Sequence, residues 1–507
     1  MFNISSLKEL VTANKFALFV VLSVIFNIAI LSNLLQSDYF GDDLYNFQVP
    51  GTVPLIFPSV FDLTKHYFME WINVNGRFFP VAWYVYYVFY IFDTLFAYKL
   101  FLLGITLAGI GAFSYLLYLL SKDKYMSLLF LFLTPVFFQY RFYHDPMLSF
   151  HGLMQILFLY ITLSFIFLSK YLQGSSRHSY YVSLFFFTLA LLTYEISYLF
   201  IFLFIPVVLS HMELKNNLRK IFYLSIPYVL ILCFLALFTL FLRSSAAANG
   251  GAYVPNWDLL AIFKTYFNQT ISVIPTSYSV ATGNISAFYH FITFRDTAIA
   301  LFFILLYIYS ISFKKQNVLN KNLLLLGVLI IVLPGLLISL SPKYQQEISF
   351  GVAYLPIYIQ SFGASLLLAL LIRKISSIKS HLIIAFLLCT VLLIHLTTNS
   401  KVIDLVNQSF KPQREILTLF FSDSFGKELP NHSTIQFPSE SPLHRKEFLN
   451  MLTGKDINVV IAPNDAYDYK LEYTITQDRA KVSITKRTTK AQYTTLYFKD
   501  DIWRKTR

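Results

Sequence analysis

Long apolar runs separated by short polar segments make up most of the chain as far as residue 397. The first run, 16–35, has 20 residues, enough to cross about 30 Å of hydrocarbon as a helix rising ~1.5 Å per residue. Because no small-residue cleavage site accompanies it, we expect this run to be retained as a membrane helix. The pattern predicts eleven crossings, at 16–35, 95–120, 125–140, 147–168, 180–194, 196–210, 220–242, 297–313, 322–340, 352–372 and 381–397.

The polar segments between these runs fall into two alternating sets, which predicts an orientation. One set carries recurring clusters of lysine and arginine, and such clusters mark cytoplasmic loops. We therefore expect a cytoplasmic N-terminus and place the other set of loops on the external side. The basic set comprises Lys8, Lys15, Lys122, Lys124, Lys170, Arg177, Lys215, Arg219, Lys220, Lys314, Lys315, Lys321, Arg373, Lys374 and Lys379.

Segment 78–92 is apolar but only 15 residues long, and it is dense in tyrosine and tryptophan. Aromatic side chains with a polar tip favour the membrane interface. A crossing here would also move every later basic loop to the outside. We therefore predict that this segment lies along the outer interface as an amphipathic or re-entrant helix.

The composition becomes mixed and polar after residue 397. Alternating apolar and polar positions at 471–476, 481–485 and 493–498 predict strands, and 414–421 and 443–452 predict helices. The expected fold is an all-α polytopic membrane domain over 1–397 and a small periplasmic α+β domain over 398–507.

Composition agrees with a membrane domain, since 56% of residues are hydrophobic and 13% charged. Soluble proteins average about 25% charged residues. The net charge of +13 resides largely in the short loops between apolar runs, so it does not indicate nucleic-acid binding. Cys233 and Cys389 both lie inside apolar runs and predict no disulfide framework.

Acidic residues directly after the first crossing are the leading candidates for chemistry. Asp42 and Asp43 stand in Gly-Asp-Asp, close to the point where a helix would leave hydrocarbon, a costly place for carboxylates. Either could act as a general base, while basic side chains could bind a leaving phosphate. Acids from two loops could also hold Mg²⁺ or Mn²⁺. The loop of Asp42 and Asp43 also carries Glu70 and Arg77. The other loops predicted to be external supply Arg141, His144, Asp145, Glu195, Arg243, Arg295, Lys343, Tyr344 and Glu347.

Several of these residues also have plain structural interpretations. Asp42 and Asp43 could form a solvated turn, and Asp145 before Pro146 could cap the next helix. Glu195 could pair with a nearby cation, and Arg77 or Lys343 could extend towards lipid headgroups. The sequence contains neither a nucleotide-binding fingerprint nor a Cys/His metal cluster.

A first membrane helix followed at once by an Asp-Asp pair resembles the GT-C superfamily of polytopic glycosyltransferases. Asn75-Gly76-Arg77-Phe78-Phe79, Leu192-Thr193-Tyr194-Glu195 and Tyr354-Leu355-Pro356 look most like bacterial O-antigen glucosyltransferases of the serotype-converting type. The resemblance covers roughly residues 1–397.

The resemblance implies transfer of a sugar, expected to be glucose, from a polyprenyl-phosphate donor to a periplasmic glycan such as the O-antigen of lipopolysaccharide. Asp42 or Asp43 would be the base or a metal ligand, with Asp145 as the acid of the second loop and Glu195 as a further catalytic carboxylate. Arg77, Arg141, Arg295 and Lys343 would bind the donor phosphate, and Glu70, His144 and Tyr344 would line the pocket. A metal, if one is used, would lie between Asp43 and Asp145.

Two other functions are compatible with this pattern. An O-antigen polymerase would depend on basic residues in later loops and little on the acids of the first loop. A polysaccharide or lipid flippase, which is not an enzyme, would place its charged groups near the bilayer midplane. The acids cluster on one predicted side, which favours the transferase.

Overall fold

A computed structural model describes most of the chain and divides it into two compact units. The first unit comprises Met1–Gln36, Thr64–Val88 and Thr94–Ile403, and the second comprises Ser37–Leu63, Phe89–Asp93 and Asp404–Arg507. The described residues are 4–47, 49–50, 53, 57–246, 255–284, 292–311, 320–375, 377–421, 430–437, 455–461, 469–476, 479–486, 492–499 and 502–505.

Helices dominate the chain before residue 421. The α-helices are α1 (Ile4–Leu31), α2 (Asp42–Asn46), α3 (Val60–Asn75), α4 (Val85–Ile91), α5 (Leu95–Ser121), α6 (Lys124–Leu133), α7 (Leu153–Leu172), α8 (Arg177–Leu191), α9 (Phe204–Leu209), α10 (Leu214–Ser245), α11 (Leu259–Ile271), α12 (Ser277–Ala281), α13 (Phe294–Ile311), α14 (Lys321–Ile338), α15 (Pro342–Glu347), α16 (Ile357–Lys374) and α17 (Ile378–Phe421). Short 3₁₀ helices occupy Ser32–Gln36, Pro80–Tyr84, Thr134–Phe137, Phe150–Gly152 and Glu195–Leu203.

Within the described ranges, eight helices are long and apolar enough to cross a membrane, as expected of a helical multi-pass membrane protein. They are Lys15–Gln36, Leu95–Ser121, Phe150–Leu172, Lys215–Ser245, Phe294–Ile311, Lys321–Ile338, Ile357–Lys374 and Ile378–Lys411. The other three predicted crossings, 125–140, 180–194 and 196–210, correspond to shorter helices. Segment 78–92 forms a 3₁₀ turn followed by α4, which has seven residues and is too short to cross.

Phenylalanine side chains fill the centre of the first unit. Phe113 of α5, Phe130 of α6 and Phe158 of α7 surround Phe362 of α16, with ring centroids 5.7, 6.0 and 4.6 Å from it. Edge-on and tilted contacts at these distances stabilise aromatic clusters beyond simple burial. The cluster therefore ties together four helices that are far apart in the sequence.

Polar caps set several helix starts, as local sequence chemistry predicts. The Asp123 side chain accepts from the backbone N–H groups of Tyr125 and Met126 at the start of α6. Asp258 and Asn320 cap α11 and α14 in the same way. Each cap satisfies N–H groups that have no partner within the helix.

The second unit contains a six-stranded sheet and the loop that follows the first apolar helix. The strands are β1 (Thr434–Phe437), β2 (Asn458–Ile461), β3 (Tyr469–Thr476), β4 (Arg479–Lys486), β5 (Gln492–Lys499) and β6 (Ile502–Lys505), in the order β2-β1-β3-β4-β5-β6. β1 pairs in parallel with β2 and β3, and the remaining pairs are antiparallel. The three predicted strands lie within β3, β4 and β5.

The predicted domain boundary at residue 398 falls inside α17, which continues without interruption to Phe421. The compact second unit begins later, at Asp404, and it also includes the loop 37–63. The helix predicted at 414–421 is the end of α17. The helix predicted at 443–452 lies outside the described residues.

Candidate functional site

Two arginines from distant parts of the first unit emerge next to each other because a glycine permits close backbone contact. Gly76 has a φ of +62°, and a Cβ on this residue would lie 2.5 Å from the Cα of Arg243. Such a position admits no side chain, and a positive φ is costly for other residues. The Asn-Gly-Arg stretch therefore places Arg77 beside Arg243 at the end of α10.

Glu195 lies between these arginines and pairs with both. Arg77 donates to Oε2 from Nε at 3.2 Å and from Nη2 at 3.0 Å, and Arg243 Nη2 donates to Oε1 at 2.7 Å. Burial raises the pKa of Glu195, but the two arginines more than offset this and hold the pKa below its usual value. The carboxylate therefore stays charged at neutral pH, and the cluster keeps a surplus of one positive charge.

A cavity of about 270 Å³ opens at this cluster. Hydroxyl groups and apolar side chains surround the charges, and the Arg77 guanidinium lies 5.3 Å from the ring centre of Tyr194. Within the described part of the chain, Arg243 Nε has no hydrogen-bond partner. The cavity lining comprises Arg77, Tyr194, Glu195, Ile196, Tyr198, Ala236, Thr239, Leu240, Arg243, Pro255, Leu337, Ile338, Leu340, Ser341 and Tyr344. A positively charged, hydroxyl-rich pocket of this kind suits a phosphate joined to a sugar.

A row of tyrosines joins the cavity to a histidine and a second glutamate. The hydroxyl groups of Tyr194 and Tyr344 are 3.5 Å apart, and Tyr344 donates to Tyr354 at 3.3 Å. The ring of Tyr354 lies 5.0 Å from that of His144, centre to centre. His144 Nε2 is in turn 3.4 Å from Glu347 Oε2.

The electrostatics of His144 and Glu347 suit proton transfer. Burial lowers the pKa of His144 to about 4, with a further contribution from Lys343, so the imidazole is neutral at pH 7. Burial also raises the pKa of Glu347, although Lys343 opposes the change. Neither facing atom has a hydrogen-bond partner among the residues that the structure describes. A neutral imidazole beside such a carboxylate can accept or relay a proton.

Arg141 and Asp145, predicted to bind phosphate and to act as an acid, both make hydrogen bonds that hold their own loop. Arg141 donates to the carbonyl groups of Gln139, Ser272 and Gly351 at 2.7–3.1 Å. Burial lowers its pKa only to about 10, so it remains charged. This guanidinium therefore clamps the loop to the segments around 272 and 351.

Both carboxylate oxygens of Asp145 accept backbone N–H groups. Oδ2 accepts from Arg141 at 2.6 Å, and Oδ1 accepts from Met147 and Leu148 at 2.7 and 2.8 Å. Burial raises the pKa of Asp145 to about 6, against the opposing effect of Arg141 and these hydrogen bonds. The geometry is that of a loop cap and not of the predicted cap of the next helix, since α7 begins only at Leu153.

The remaining predicted residues of the first unit lie apart from the cavity lining. Arg295 donates to the Asn33 and Ser32 side chains and to the Ala29 carbonyl, and thus caps the end of α1. Glu70 is exposed on α3. Lys343 lies half-buried with Nζ 5.8 Å from the ring centre of Tyr344, beside the cavity.

The acids of the first loop belong to the second unit and have contrasting environments. Asp42 is exposed and Asp43 fully buried, both in the first turn of α2, where the helix dipole favours negative charge. Asp38 pairs with Arg414 at 3.1 Å and accepts the N–H of Tyr39 at 2.7 Å. Burial raises the pKa of Tyr39; Arg414 opposes this change, while Asp38, Asp43 and Asp93 add to it. That these acids share one pocket with the arginine cluster stays a prediction.

Sequence reasoning missed several contributors to these sites. Arg243 was recognised as a cation of an external loop but not assigned to the phosphate site, because nothing local connects it to Arg77. Lys99 is fully buried in α5 and donates to the Leu148 carbonyl at 2.8 Å, on the loop that Asp145 holds. A lysine within an apolar run was the available signal for it. Asp93 was missed because it follows the interfacial segment.

A metal between Asp43 and Asp145 stays a prediction, because the two residues belong to different units. No group of three or more His, Cys, Asp or Glu side chains within the described ranges is arranged to hold a metal ion. The oxygens of Asp145 are already engaged by three N–H groups. We therefore derive no step through Mg²⁺ or Mn²⁺.

Comparison of the chain with known protein families gives no match, and comparison with curated proteins gives none either.

Proposed function

We propose that this protein is a membrane glycosyltransferase that moves a sugar, expected to be glucose, from a polyprenyl-phosphate donor to a periplasmic glycan such as O-antigen. The observation that carries the proposal is the Arg77–Glu195–Arg243 cavity, with its surplus positive charge and its hydroxyl lining. A lipid-phosphate sugar needs a cationic site that is reached from the bilayer. α10 supports access from the bilayer, since it ends at the cavity and carries many exposed apolar side chains.

In the proposed reaction, Arg77 and Arg243 bind the phosphate of the donor and stabilise the charge that develops as the glycosidic bond breaks. Arg243 lines the cavity and its Nε has no hydrogen-bond partner among the described residues, while Glu195 holds both guanidinium groups in position. The acceptor oxygen bonds to the anomeric carbon as polyprenyl phosphate leaves, and the acceptor proton passes to Asp42 or Asp43; Asp42 is the exposed carboxylate of the two.

The test is transfer of glucose from purified polyprenyl-phosphate-glucose to O-antigen by the protein in detergent or nanodiscs. The variant Arg243→Gln should raise the KM for the donor about tenfold or more, because one charge-assisted hydrogen bond contributes roughly 1.5–3 kcal/mol. The matched control Arg177→Gln alters an exposed arginine at the start of α8 and should change the KM for the donor less than about twofold.

The variants Asp42→Asn and Asp43→Asn distinguish a glycosyltransferase from an O-antigen polymerase. If both variants remain monodisperse and keep full transfer activity while Arg243→Gln abolishes it, the first-loop base is excluded. That outcome favours a polymerase that relies on basic residues of later loops. Absence of transfer by the wild-type protein from any polyprenyl-phosphate sugar would overturn the proposal itself.

A further inference from the structure

A second, larger cavity of about 550 Å³ lies near the start of α10. Lys220, which lines it, precedes Arg243 by 23 positions on the same helix, a distance of roughly 35 Å at ~1.5 Å per residue. The helix is therefore long enough to separate the two cavities by about the thickness of a bilayer.

Side chains from three helices build this second cavity. Tyr171 lies in the last turn of α7, and Tyr180 belongs to α8. The first turns of α10 supply Asn216, Arg219, Lys220 and Tyr223. The Tyr180 hydroxyl donates to the Leu224 carbonyl at 3.0 Å, which fixes α8 against α10. The rings of Tyr171 and Tyr180 are 5.3 Å apart, and the Arg219 guanidinium lies 5.6 Å from the ring centre of Tyr223.

Positive charge predominates around the cavity. The segments 170–180 and 210–224 contain Lys170, Arg177, Lys215, Arg219 and Lys220, against the single acid Glu213. Glu213 is occupied locally, since its carboxylate accepts from Asn216 at 2.8 Å and its carbonyl from Asn217 at 3.1 Å. Arg219 and Lys220 are exposed, and both line the cavity.

Hydrocarbon-compatible surface begins directly beside these cations. Leu218 and Phe222 on α10 are 64% and 62% exposed, and only 17% of the apolar window of this helix is buried in protein. Free phosphate would use the cations alone. A phospholipid would use both features, with its phosphate on the cations and its acyl chains along the apolar face.

We infer that this cavity binds the headgroup phosphate of an anionic membrane phospholipid, with Arg219 and Lys220 as the anionic contacts and Tyr180 and Tyr223 as the aromatic walls. Basic pockets between membrane helices on the cytoplasmic side commonly bind such headgroups. The inference concerns the opposite end of α10 from the proposed donor site and does not depend on glycosyl transfer.

The test measures binding of phosphatidylglycerol to the detergent-solubilised full chain by native mass spectrometry, with phosphatidylcholine as the neutral comparison. The double variant Arg219→Ala/Lys220→Ala should weaken phosphatidylglycerol binding about tenfold or more, since each basic residue near an anionic headgroup contributes about a factor of five. The control Lys374→Ala/Lys379→Ala removes two exposed lysines near the junction of α16 and α17 and should stay within about twofold of wild type.

Two further arms decide the source of the anion and the integrity of the fold. Excess inorganic phosphate should not displace the lipid; displacement at equal concentration would show a free-phosphate site and overturn the inference. Equal losses of phosphatidylglycerol binding in the test and control variants would also overturn the inference, because they would indicate nonspecific attraction by general surface charge. Tyr180→Phe, which removes only the hydroxyl bonded to Leu224, should remain folded and weaken binding less than the double variant.

Discussion

Glu195 is half-buried and Asp145 fully buried, and the two carboxylates have different partners. Glu195 faces two guanidinium groups at the wall of a cavity, whereas Asp145 accepts three backbone N–H groups within its own loop. Arg141 and Arg243 contrast in the same way. Arg141 donates only to carbonyl groups that hold a loop, while Arg243 keeps Nε available. Residue type and predicted side of the membrane are the same in each pair, so only the contacts in the structure distinguish their environments.

At the residue scale, His144 should make the protein sensitive to acid. Its pKa is lowered by burial to about 4, below the ordinary value of 6.5. Between these pH values the unfolded chain binds a proton at this position and the folded chain does not, so stability falls as pH decreases from about 6.5 to 4. Asparagine tolerates the backbone φ of +50° found at this position. The variant His144→Asn should therefore show a smaller decrease of the thermal unfolding midpoint than wild type between pH 7 and 4.5.

The control for this prediction is His178→Asn, at an exposed histidine on α8. It should leave the pH dependence of the unfolding midpoint close to that of wild type. If His144→Asn and wild type lose equal stability on acidification, the buried neutral state of His144 is wrong.

At the scale of elements, α14 and α16 approach closely because each contributes a glycine to the contact. A Cβ on Gly363 would lie 2.7 Å from the Gly327 carbonyl, and a Cβ on Gly327 would lie 2.7 Å from Leu367 Cδ2. Small residues of this kind allow membrane helices to pack by direct backbone contact. α14 ends where Leu337 and Ile338 line the Arg77–Glu195–Arg243 cavity, so this packing also supports the cavity wall.

Gly363→Ala should therefore separate α14 from α16 and lower stability by about 1–3 kcal/mol, the usual effect of overpacking. The matched control is Gly111→Ala on α5, where an added Cβ meets nothing within 4 Å and should be neutral or stabilising. Thermal unfolding of both variants in the same detergent checks the difference. An unchanged midpoint for Gly363→Ala would contradict the close contact.

At the scale of the whole molecule, the predicted orientation would place the Arg77–Glu195–Arg243 cavity outside the cell and the cavity at Arg219 and Lys220 inside it. Both ends of α10 can be probed, because its basic start and the arginine cluster at its end are separated by a helix long enough to span a bilayer. The chain has only two cysteines, Cys233 and Cys389, which simplifies labelling.

In a Cys233→Ser/Cys389→Ser background, a membrane-impermeant thiol reagent should label Glu70→Cys in intact spheroplasts. Lys220→Cys should react only after the membrane is permeabilised. Both positions are exposed in the protein, so the difference would report the side of the membrane. Labelling of Lys220→Cys from outside would reverse the orientation and exchange the two cavities between the leaflets.

The sequence by itself determined the features that depend on local chemistry. Hydrocarbon requires long apolar helices, so eight of the eleven predicted crossings coincide with such helices, and strict alternation located β3, β4 and β5. Helix caps at Asp123 and Asp258 follow from their immediate neighbours.

Only the tertiary structure decided which polar groups meet. Arg77 and Glu195 are 118 positions apart, and Glu195 and Arg243 are 48 positions apart, so no local pattern could pair them. Their meeting depends on the contact of Gly76 with the end of α10, and the role of Arg141 depends on carbonyl groups that other loops supply. Each apolar run can form a membrane helix independently of the others, whereas a charged site forms only when several helices pack together.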